Sequence, residues 1–299
     1  MAPPKIPPPF GYFGSKNRLA LQLCKDLPPH NCWVEAFCGS AAMTLAKEPA
    51  PIEVINDIDK EIINLFRQLR NNYIDLLRVI KLTPYAAQEL YDARIKVNSE
   101  TELERARKFI IQSMMAINGS FGKEKGGFSI SHSYSRNNAE ARVNRWNNLP
   151  KRLDRVVERL KRVRIENKDA LKLLENYINR PATLIYLDPP YFADRTYGYS
   201  NDANNEEFHK RLLSLANEAI CMIFISGYES DLYNSLLTEE KGWEKKMLLA
   251  NTKGSNGIIQ PRIEIVWMNQ HYRNAIIANR VPIELTEKEQ QMGKVNPER

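Results

Sequence analysis

Short apolar runs alternate with stretches of helical periodicity along most of this chain. Runs rich in β-branched and aromatic side chains, bounded by turn residues, indicate strands, whereas apolar positions three and four apart indicate helices. Regular alternation of the two predicts an α/β fold with a mostly parallel sheet. Strands are predicted at 32–37, 52–56, 163–166, 183–187, 221–226, 243–250 and 262–268.

The helical periodicity falls mainly between these strands. The connection 251–261 between the last two strands is rich in glycine and asparagine, which favours an antiparallel hairpin at one edge of the sheet. We therefore expect a mixed sheet of seven strands. Helices are predicted at 16–25, 41–47, 60–71, 102–117, 151–161, 169–178, 206–219 and 230–237.

The segment 72–149 interrupts this alternation between the second strand and the third. It begins with helical periodicity and ends in a long polar stretch that contains glycines, and such a stretch inside a compact domain is usually functional or disordered. Aromatic and basic side chains alternate there, as on surfaces that bind nucleic acids. They are Phe121, Lys123, Lys125, Phe128, Tyr134, Arg136, Arg142, Arg145 and Trp146.

Three units follow from this organisation. Residues 1–71 and 150–283 are expected to form one domain, 72–149 an inserted region with a surface for nucleic acid, and 284–299 a disordered polar tail.

Composition narrows the class of protein. The chain has 299 residues, of which 43% are hydrophobic and 26% charged, as in soluble globular proteins. No apolar stretch is long enough for a membrane span, and the first residues lack a hydrophobic signal region. The four cysteines form no C-x-x-C pair and the four histidines are scattered, so we expect no metal site, no disulfide framework and a cytoplasmic location.

A net charge of +7 is compatible with a polyanionic partner. Basic residues concentrate between Arg136 and Lys168. This stretch is interpreted as a surface that faces phosphates. A solvated helix face with ion pairs one turn apart is the alternative.

The most specific chemical signal is Asp188-Pro189-Pro190-Tyr191, directly after the apolar run 183–187. An aromatic amino group is a poor nucleophile, because its lone pair is delocalised, and acceptors aimed at its N–H groups counter this. Asp188 supplies one acceptor and the Pro189 carbonyl another, held by the fixed φ of proline. Tyr191 could stack on a base taken out of its duplex. An acidic turn that merely closes a strand is the alternative.

Two further motifs indicate a nucleoside-containing cofactor. The predicted strand 32–37 runs into the tight turn Cys38-Gly39-Ser40 and a helix, and the next strand ends at Asp57, which could accept hydrogen bonds from ribose hydroxyls. Near the start, the segment 9–16 holds glycines, Tyr12 and Lys16 ahead of a helix. A flat face and a cation there would suit a ligand that carries a carboxylate.

These motifs follow one another in an order that resembles the alpha class of DNA adenine-N6 methyltransferases, the Dam-like family. The similarity spans roughly residues 9–270. It includes the closing strands around 226–233 and 262–269, in addition to the motifs that begin at Phe10, Val34, Asn56 and Asp188.

The resemblance implies a Rossmann-like, S-adenosylmethionine-dependent methyltransferase fold that needs no metal. Its catalytic residues would be Asp188, Pro189, Pro190 and Tyr191. Residues expected to contact the cofactor are Tyr12, Lys16, Phe37, Cys38, Gly39, Asp57, Asp169 and Asp188. Residues expected to contact DNA in the target-recognition region are Asn118, Lys123, Lys125, Arg136, Arg142 and Arg145.

Two departures from the family pattern concern its first cofactor motif, Pro-Phe-x-Gly-x-Gly. Here Ala36 and Ala41 replace the proline and the second glycine. Because alanine disfavours positive φ, we expect a slightly reshaped loop.

The resemblance also sets expectations for partners. Double-stranded DNA is the expected partner of a monomer or weak dimer in a bacterial or phage-infected cell, and a cognate restriction endonuclease is a further candidate. RNA or protein amino-group methylation, or DNA binding without turnover, stay open as alternatives.

Overall fold

The computed structural model describes residues 6–11, 16–117, 126–133, 138–190, 206–253 and 259–283. Within these ranges one sheet of seven strands has the order β3-β2-β1-β4-β5-β7-β6. The predicted mixed α/β architecture is therefore confirmed. The strands are β1 Cys32–Glu35, β2 Ile52–Asn56, β3 Arg164–Glu166, β4 Thr183–Leu187, β5 Met222–Gly227, β6 Glu244–Lys253 and β7 Ile259–Met268.

Five strands are parallel and the last two form the predicted antiparallel hairpin. β1 pairs with β2 and β4 in parallel, and β4 with β5, so the carboxyl ends of these strands meet at one edge of the sheet. β7 runs antiparallel to β5 and to β6. Every residue of β1, β4 and β5 is buried, as expected for parallel strands that are covered on both faces.

Helices cover both faces, and most of them lie where the periodicity predicted them. The stretch predicted as one helix at 16–25 is instead a 3₁₀ turn at Lys16–Arg18 followed by a short α-helix. The helices are α1 Ala20–Leu23, α2 Ala42–Ala46, α3 Lys60–Asn71, α4 Tyr73–Leu82, α5 Ala87–Ala93, α6 Glu102–Met115, α7 Ala141–Asn147, α8 Leu149–Leu160, α9 Ala170–Glu175, α10 Glu206–Glu218, α11 Asp231–Leu236 and α12 Gln270–Ala278.

The sequence did not predict α12. It begins directly after β7, where Asn269 accepts a hydrogen bond from the Tyr272 N–H at 2.9 Å and so caps the helix. Tyr272 and Ala275 then bury one short face against the core.

The inserted segment is more helical and more buried than expected. α7 forms inside the stretch that looked polar and irregular, and Trp146 on it is only 3% exposed. Its indole N–H donates to the Thr83 carbonyl at 2.9 Å. Placing Trp146 on a nucleic-acid surface was therefore wrong, because its ring belongs to the core shared with α3, α6 and α8. The domain boundaries at 72 and 149 remain a prediction.

The basic stretch of α8 also needs a correction. Arg159 is 7% exposed and pairs with Glu53 inside the protein, so it belongs to neither a phosphate-facing surface nor a solvated face. Lys161, by contrast, is exposed and pairs with Glu158 one turn away. No helix in the described ranges is long and apolar enough to cross a membrane.

Candidate active site at the carboxyl edge of the sheet

The sequence-predicted site residues gather where the parallel strands end. Phe37 and Cys38 follow β1, Asp57 follows β2, and Asp188 follows β4. Carboxyl ends of adjacent parallel strands share one edge, and ligands of open α/β sheets bind there. The fold thus brings together motifs that lie far apart in sequence.

Asp188 is anchored through one oxygen of its carboxylate. Its Oδ1 accepts hydrogen bonds from Lys16 Nζ at 2.7 Å and from Ser226 Oγ at 3.2 Å. Burial raises the pKa of Asp188 above its usual value, whereas Lys16 and Ser226 act against that shift. The side chain is 18% exposed, and within the described residues Oδ2 has no hydrogen bond. One oxygen is therefore held by the protein while the other is open.

Ser226 is itself held by a side chain of the neighbouring strand β4. Tyr186 on β4 lies 2.7 Å from it, hydroxyl to hydroxyl, and is 1% exposed. The ring of Tyr186 stacks on Phe224 with centroids 4.7 Å apart, so its hydroxyl is fixed by packing. This support of Asp188 is not visible in the sequence, because Ser226 and Tyr186 lie on separate strands.

Lys16 is buried with its ammonium between two carboxylates. The side chain is 5% exposed, and Nζ lies 3.2 Å from Glu264 on β7 besides its contact with Asp188. The predicted contact of Lys16 with the cofactor remains a prediction. Glu264 received no role from the sequence, although an acid at an inward position of the apolar strand 263–268 was a usable signal.

The turn after Asp188 holds Pro189 buried and Pro190 half-buried. Two prolines in succession fix this stretch of backbone and with it the direction of the Pro189 carbonyl. Tyr191 lies outside the described residues, as do Tyr12, Asn118, Lys123, Lys125 and Arg136. Their predicted roles are unchanged by the structure.

The loop after β1 keeps a glycine-like shape despite its alanine. Gly39 has φ +47° and Ala41 has φ +55° with ψ +37°, which is the left-handed region. The expected reshaping caused by Ala41 was wrong: alanine adopts the conformation, at a cost of about 1 to 2 kcal/mol. The Ala41 N–H donates to the Cys38 carbonyl at 2.6 Å, and complete burial of Ala41 fixes the turn.

Asp57 connects the end of β2 to this loop. Its Oδ2 accepts from the Gly39 N–H at 2.8 Å and its Oδ1 from the Asp59 N–H at 3.0 Å. Burial raises the pKa of Asp57 to about 6, and these N–H groups act against the shift. The side chain remains half-buried, so its oxygens can still accept from ribose hydroxyls. Loop and acid therefore fit a nucleoside group.

The remaining cofactor candidates have structural partners. Phe37 meets Phe208 edge to face, with centroids 6.2 Å apart. The Cys38 N–H donates to the Asn56 carbonyl at 2.8 Å, and burial raises the pKa of the Cys38 thiol. Asp169 caps α9 by accepting from the Leu171 N–H at 2.9 Å. Its contact with a cofactor remains a prediction.

Glu35, which the sequence left unassigned, is a buried carboxyl beneath this loop. It accepts from the Thr44 N–H at 2.9 Å and from the Thr44 hydroxyl, and these hydrogen bonds act to lower its pKa. Burial raises the pKa of Glu35 to about 7. Glu35 thus ties β1 to α2 across the loop 36–41.

Two predicted DNA contacts, Arg142 and Arg145, lie on α7, and Arg145 stands beside Gly11. A Cβ built on Gly11 would lie 3.8 Å from Arg145 Nη2. Arg152 of α8 donates to the Pro9 carbonyl at 3.0 Å. Arg145 of the inserted region and Arg152 of α8 thus stand next to residues 9–11, which precede Lys16.

Metal ligands do not cluster in the part of the chain that is described: no three His, Cys, Asp or Glu side chains there could hold an ion.

Comparisons with known proteins identify the family. Among solved structures, a methyltransferase from Geobacter sulfurreducens is 10% identical and covers 87% of this chain and 80% of its own, with a TM-score of 0.35. An rRNA methylase from Streptococcus thermophilus is 8% identical and covers 85% and 97%, with a TM-score of 0.34. A family model for D12 class N6 adenine-specific DNA methyltransferases matches residues 12–248. The chain belongs to the D12 class N6 adenine-specific DNA methyltransferase family.

Proposed function

We propose that this protein transfers a methyl group from S-adenosylmethionine to the N6 amino group of an adenine flipped out of double-stranded DNA. Asp188, Pro189, Pro190 and Tyr191 carry the reaction. The observation behind the proposal is that the two oxygens of the Asp188 carboxylate differ. Lys16 and Ser226 hold Oδ1, whereas Oδ2 is open to a substrate.

A target amino group has N–H donors that Oδ2 and the Pro189 carbonyl can accept. Both acceptors draw the nitrogen lone pair out of the aromatic ring, which makes the nitrogen a better nucleophile. Because Lys16 and Ser226 hold Oδ1, the carboxylate cannot turn away from the substrate. Tyr191 is proposed as the stacking surface for the flipped base.

The cofactor supplies an activated methyl group on a cationic sulfur. Tyr12, Lys16, Phe37, Cys38, Gly39, Asp57, Asp169 and Asp188 are the residues proposed to hold it. The positive-φ turn and the half-buried Asp57 support a nucleoside at the end of β2. Transfer leaves a cationic nitrogen, and its proton leaves towards Asp188 or water.

DNA is proposed to lie across α7 and the segment around Asn118, Lys123, Lys125 and Arg136. Arg142 and Arg145 support this, because their helix stands beside the segment that carries Lys16. Phosphate contacts from such arginines would orient the duplex, and base contacts would select the site. A monomer or weak dimer acting in the cytoplasm, with or without a cognate restriction endonuclease, fits this proposal.

The alternatives are methylation of an amino group in RNA or protein, and DNA binding without turnover. Incubation with tritiated S-adenosylmethionine and separate pools of unmethylated duplex DNA, tRNA, rRNA and protein distinguishes them. We expect label on duplex DNA, in N6-methyladenine. Label on RNA or protein alone would reject the proposal, and a gel shift of duplex without label would favour a binding protein.

A further inference from the structure

A cleft lies between α3, α6 and the edge strand β3, outside the candidate active site. Its volume is about 350 Å³. Ligand pockets in proteins measure about 300 to 1,000 Å³, so the cleft can hold a small organic molecule. None of the described residues proposed to hold the cofactor or the target base lines it. The lining residues are Lys60, Ile63, Asn64, Arg67, Glu102, Arg105, Ile165 and Asn167.

Basic side chains predominate in this cleft, with three of them against one acidic side chain. Lys60 and Arg67 lie seven residues apart on one face of α3, and both are exposed. Neither side chain forms an ion pair or a hydrogen bond with another described residue. Two unpaired cations of α3 are therefore available to an anionic ligand.

The acidic groups nearby already have partners. Glu102 Oε2 accepts a hydrogen bond from Gln68 Nε2 at 3.2 Å. Glu61 Oε2 lies 3.3 Å from Nε of Arg105, the third base of the cleft. The two unpaired cations of α3 thus keep a positive charge that these acids do not compensate.

Two helices also begin at the cleft. Lys60 is the first residue of α3, and Glu102 is the first residue of α6. The amino end of a helix carries a partial positive charge, which favours anions. The backbone therefore adds to the positive potential of the side chains.

Asn64 adds a hydrogen-bond acceptor to this basic lining. The residue is 3% exposed, and its Nδ2 donates to the Glu102 carbonyl at 2.8 Å. Oδ1 accepts no hydrogen bond from the described residues. A buried acceptor without a donor costs free energy, which a hydroxyl group of a ligand would recover. The cleft thus suits a molecule that carries both an anionic group and a hydroxyl.

We propose that the cleft binds a small sugar phosphate, independently of the activity proposed above. The guanidinium of Arg67 offers paired N–H donors that match a phosphate group, and Lys60 supplies a point charge. A sugar hydroxyl donates to Asn64, and Ile63 and Ile165 pack against the carbon skeleton. The backbone of a DNA duplex is another source of phosphate groups, but its sugars carry no free hydroxyl for Asn64.

Calorimetric titration at low salt tests the site with ribose 5-phosphate, inorganic phosphate and ribose as probes. We expect saturable binding of ribose 5-phosphate at one site, weaker binding of inorganic phosphate, and none of ribose. Arg67→Gln and Lys60→Gln should each weaken binding of ribose 5-phosphate about tenfold, since each removes a charged hydrogen bond to phosphate. Arg78→Gln, exposed on α4 outside the cleft, is the matched control and should leave binding unchanged.

Two results of this titration would overturn the proposal. One is an absence of ribose 5-phosphate binding by the wild type. The other is equal binding by the wild type, Arg67→Gln and Lys60→Gln, because the ligand would then occupy another part of the surface. Both cations are exposed, so we expect the variants to fold, and urea unfolding checks this.

Two competitors separate the cleft from the proposed cofactor and DNA sites. Saturating S-adenosylhomocysteine should leave the dissociation constant of ribose 5-phosphate unchanged, and competition between them would overturn the proposal. A short DNA duplex should bind the wild type and Arg67→Gln equally well. A duplex that displaces ribose 5-phosphate and binds Arg67→Gln less tightly would assign the cleft to the DNA backbone instead. None of these readouts requires methyl transfer, so their outcome does not depend on the proposed function.

Discussion

Two buried ion clusters stand at opposite ends of the same parallel sheet, and they differ in what they leave open. At the amino end of β2, Glu53 pairs with Lys47 at 3.1 Å and with Arg159 Nη2 at 2.7 Å, and its side chain is 0% exposed. Both of its oxygens accept, since Oε1 also takes the Ala50 N–H and Oε2 takes Arg159 Nη1. At the carboxyl end, Asp188 is 18% exposed and uses Oδ1 alone.

Glu53 and Asp188 also differ in the cations that contact them and in the direction of their pKa shifts. Glu53 contacts two cations. Burial acts to raise the pKa of Glu53, but Arg159 and Lys47 together outweigh burial, so the pKa is lowered. Asp188 contacts one cation among the described residues, Lys16, and burial raises the pKa of Asp188. A carboxylate whose two oxygens both accept from the protein stabilises the fold, whereas a carboxylate with one open oxygen is suited to a ligand with N–H donors.

The largest expected effect is a loss of methyl transfer when the Asp188 cluster is changed. Asp188→Asn should reduce methyl transfer by about a thousandfold or more, because Oδ2 no longer acts as an anionic acceptor. The free energy of unfolding should change by only about 1 kcal/mol, since Lys16 keeps Glu264 as its partner. Transfer assays and urea unfolding measure the two quantities, with Asp231→Asn on the surface of α11 as control. Near-normal turnover of Asp188→Asn would contradict the assignment.

A change in the Glu53 cluster should lower the stability of the fold and leave catalysis unchanged. Arg159→Met removes two hydrogen bonds to Glu53 and one to the Thr44 carbonyl, and should lower the free energy of unfolding by about 3 kcal/mol. Lys151→Met, exposed on the same helix, should change it by less than about 0.5 kcal/mol. Transfer per folded molecule should be unchanged in both. A loss of transfer in fully folded Arg159→Met would break the distinction between the clusters.

A third buried carboxyl, that of Glu35, should make the stability of the fold depend on pH. Glu35 has a pKa of about 7 in the folded protein against an ordinary value of 4.5, so the folded state binds the proton more tightly. Between these values the wild type should lose stability as pH rises, by up to about 3 kcal/mol in total. Glu35→Gln cannot ionise, so its stability relative to the wild type should increase across that window. An equal change in the free energy of unfolding between pH 5 and pH 8 for the wild type and Glu35→Gln would contradict the raised pKa of Glu35.

Much of the fold could be predicted because turn residues bracket its apolar runs. The bounds of β2 and β4 agree with the sequence to the residue, and α3 does as well. Asp188, Asp57 and Gly39 could be placed at one edge because parallel strands end together. Local pattern decides these features, and no distant contact changes them.

Features that depend on distant contacts could not be predicted in this way. Lys16 and Glu264 come from opposite ends of the chain, and only the assembled sheet brings their side chains within 3.2 Å. Trp146 sits in a polar stretch, yet the tertiary core provides both its packing and the Thr83 acceptor. Ala41 is a third feature that the sequence could not predict. Burial holds this alanine at a positive φ, which alanine disfavours.

The most direct test of the central claim is the N6-methyladenine content of DNA from cells that express the protein, compared with cells that express Asp188→Ala. Sequencing of the modified positions gives both the base and its context. The account predicts N6-methyladenine at one recurrent sequence with the wild type, and background levels with a folded Asp188→Ala variant. Equal adenine methylation with both proteins, or none with the wild type, would contradict it.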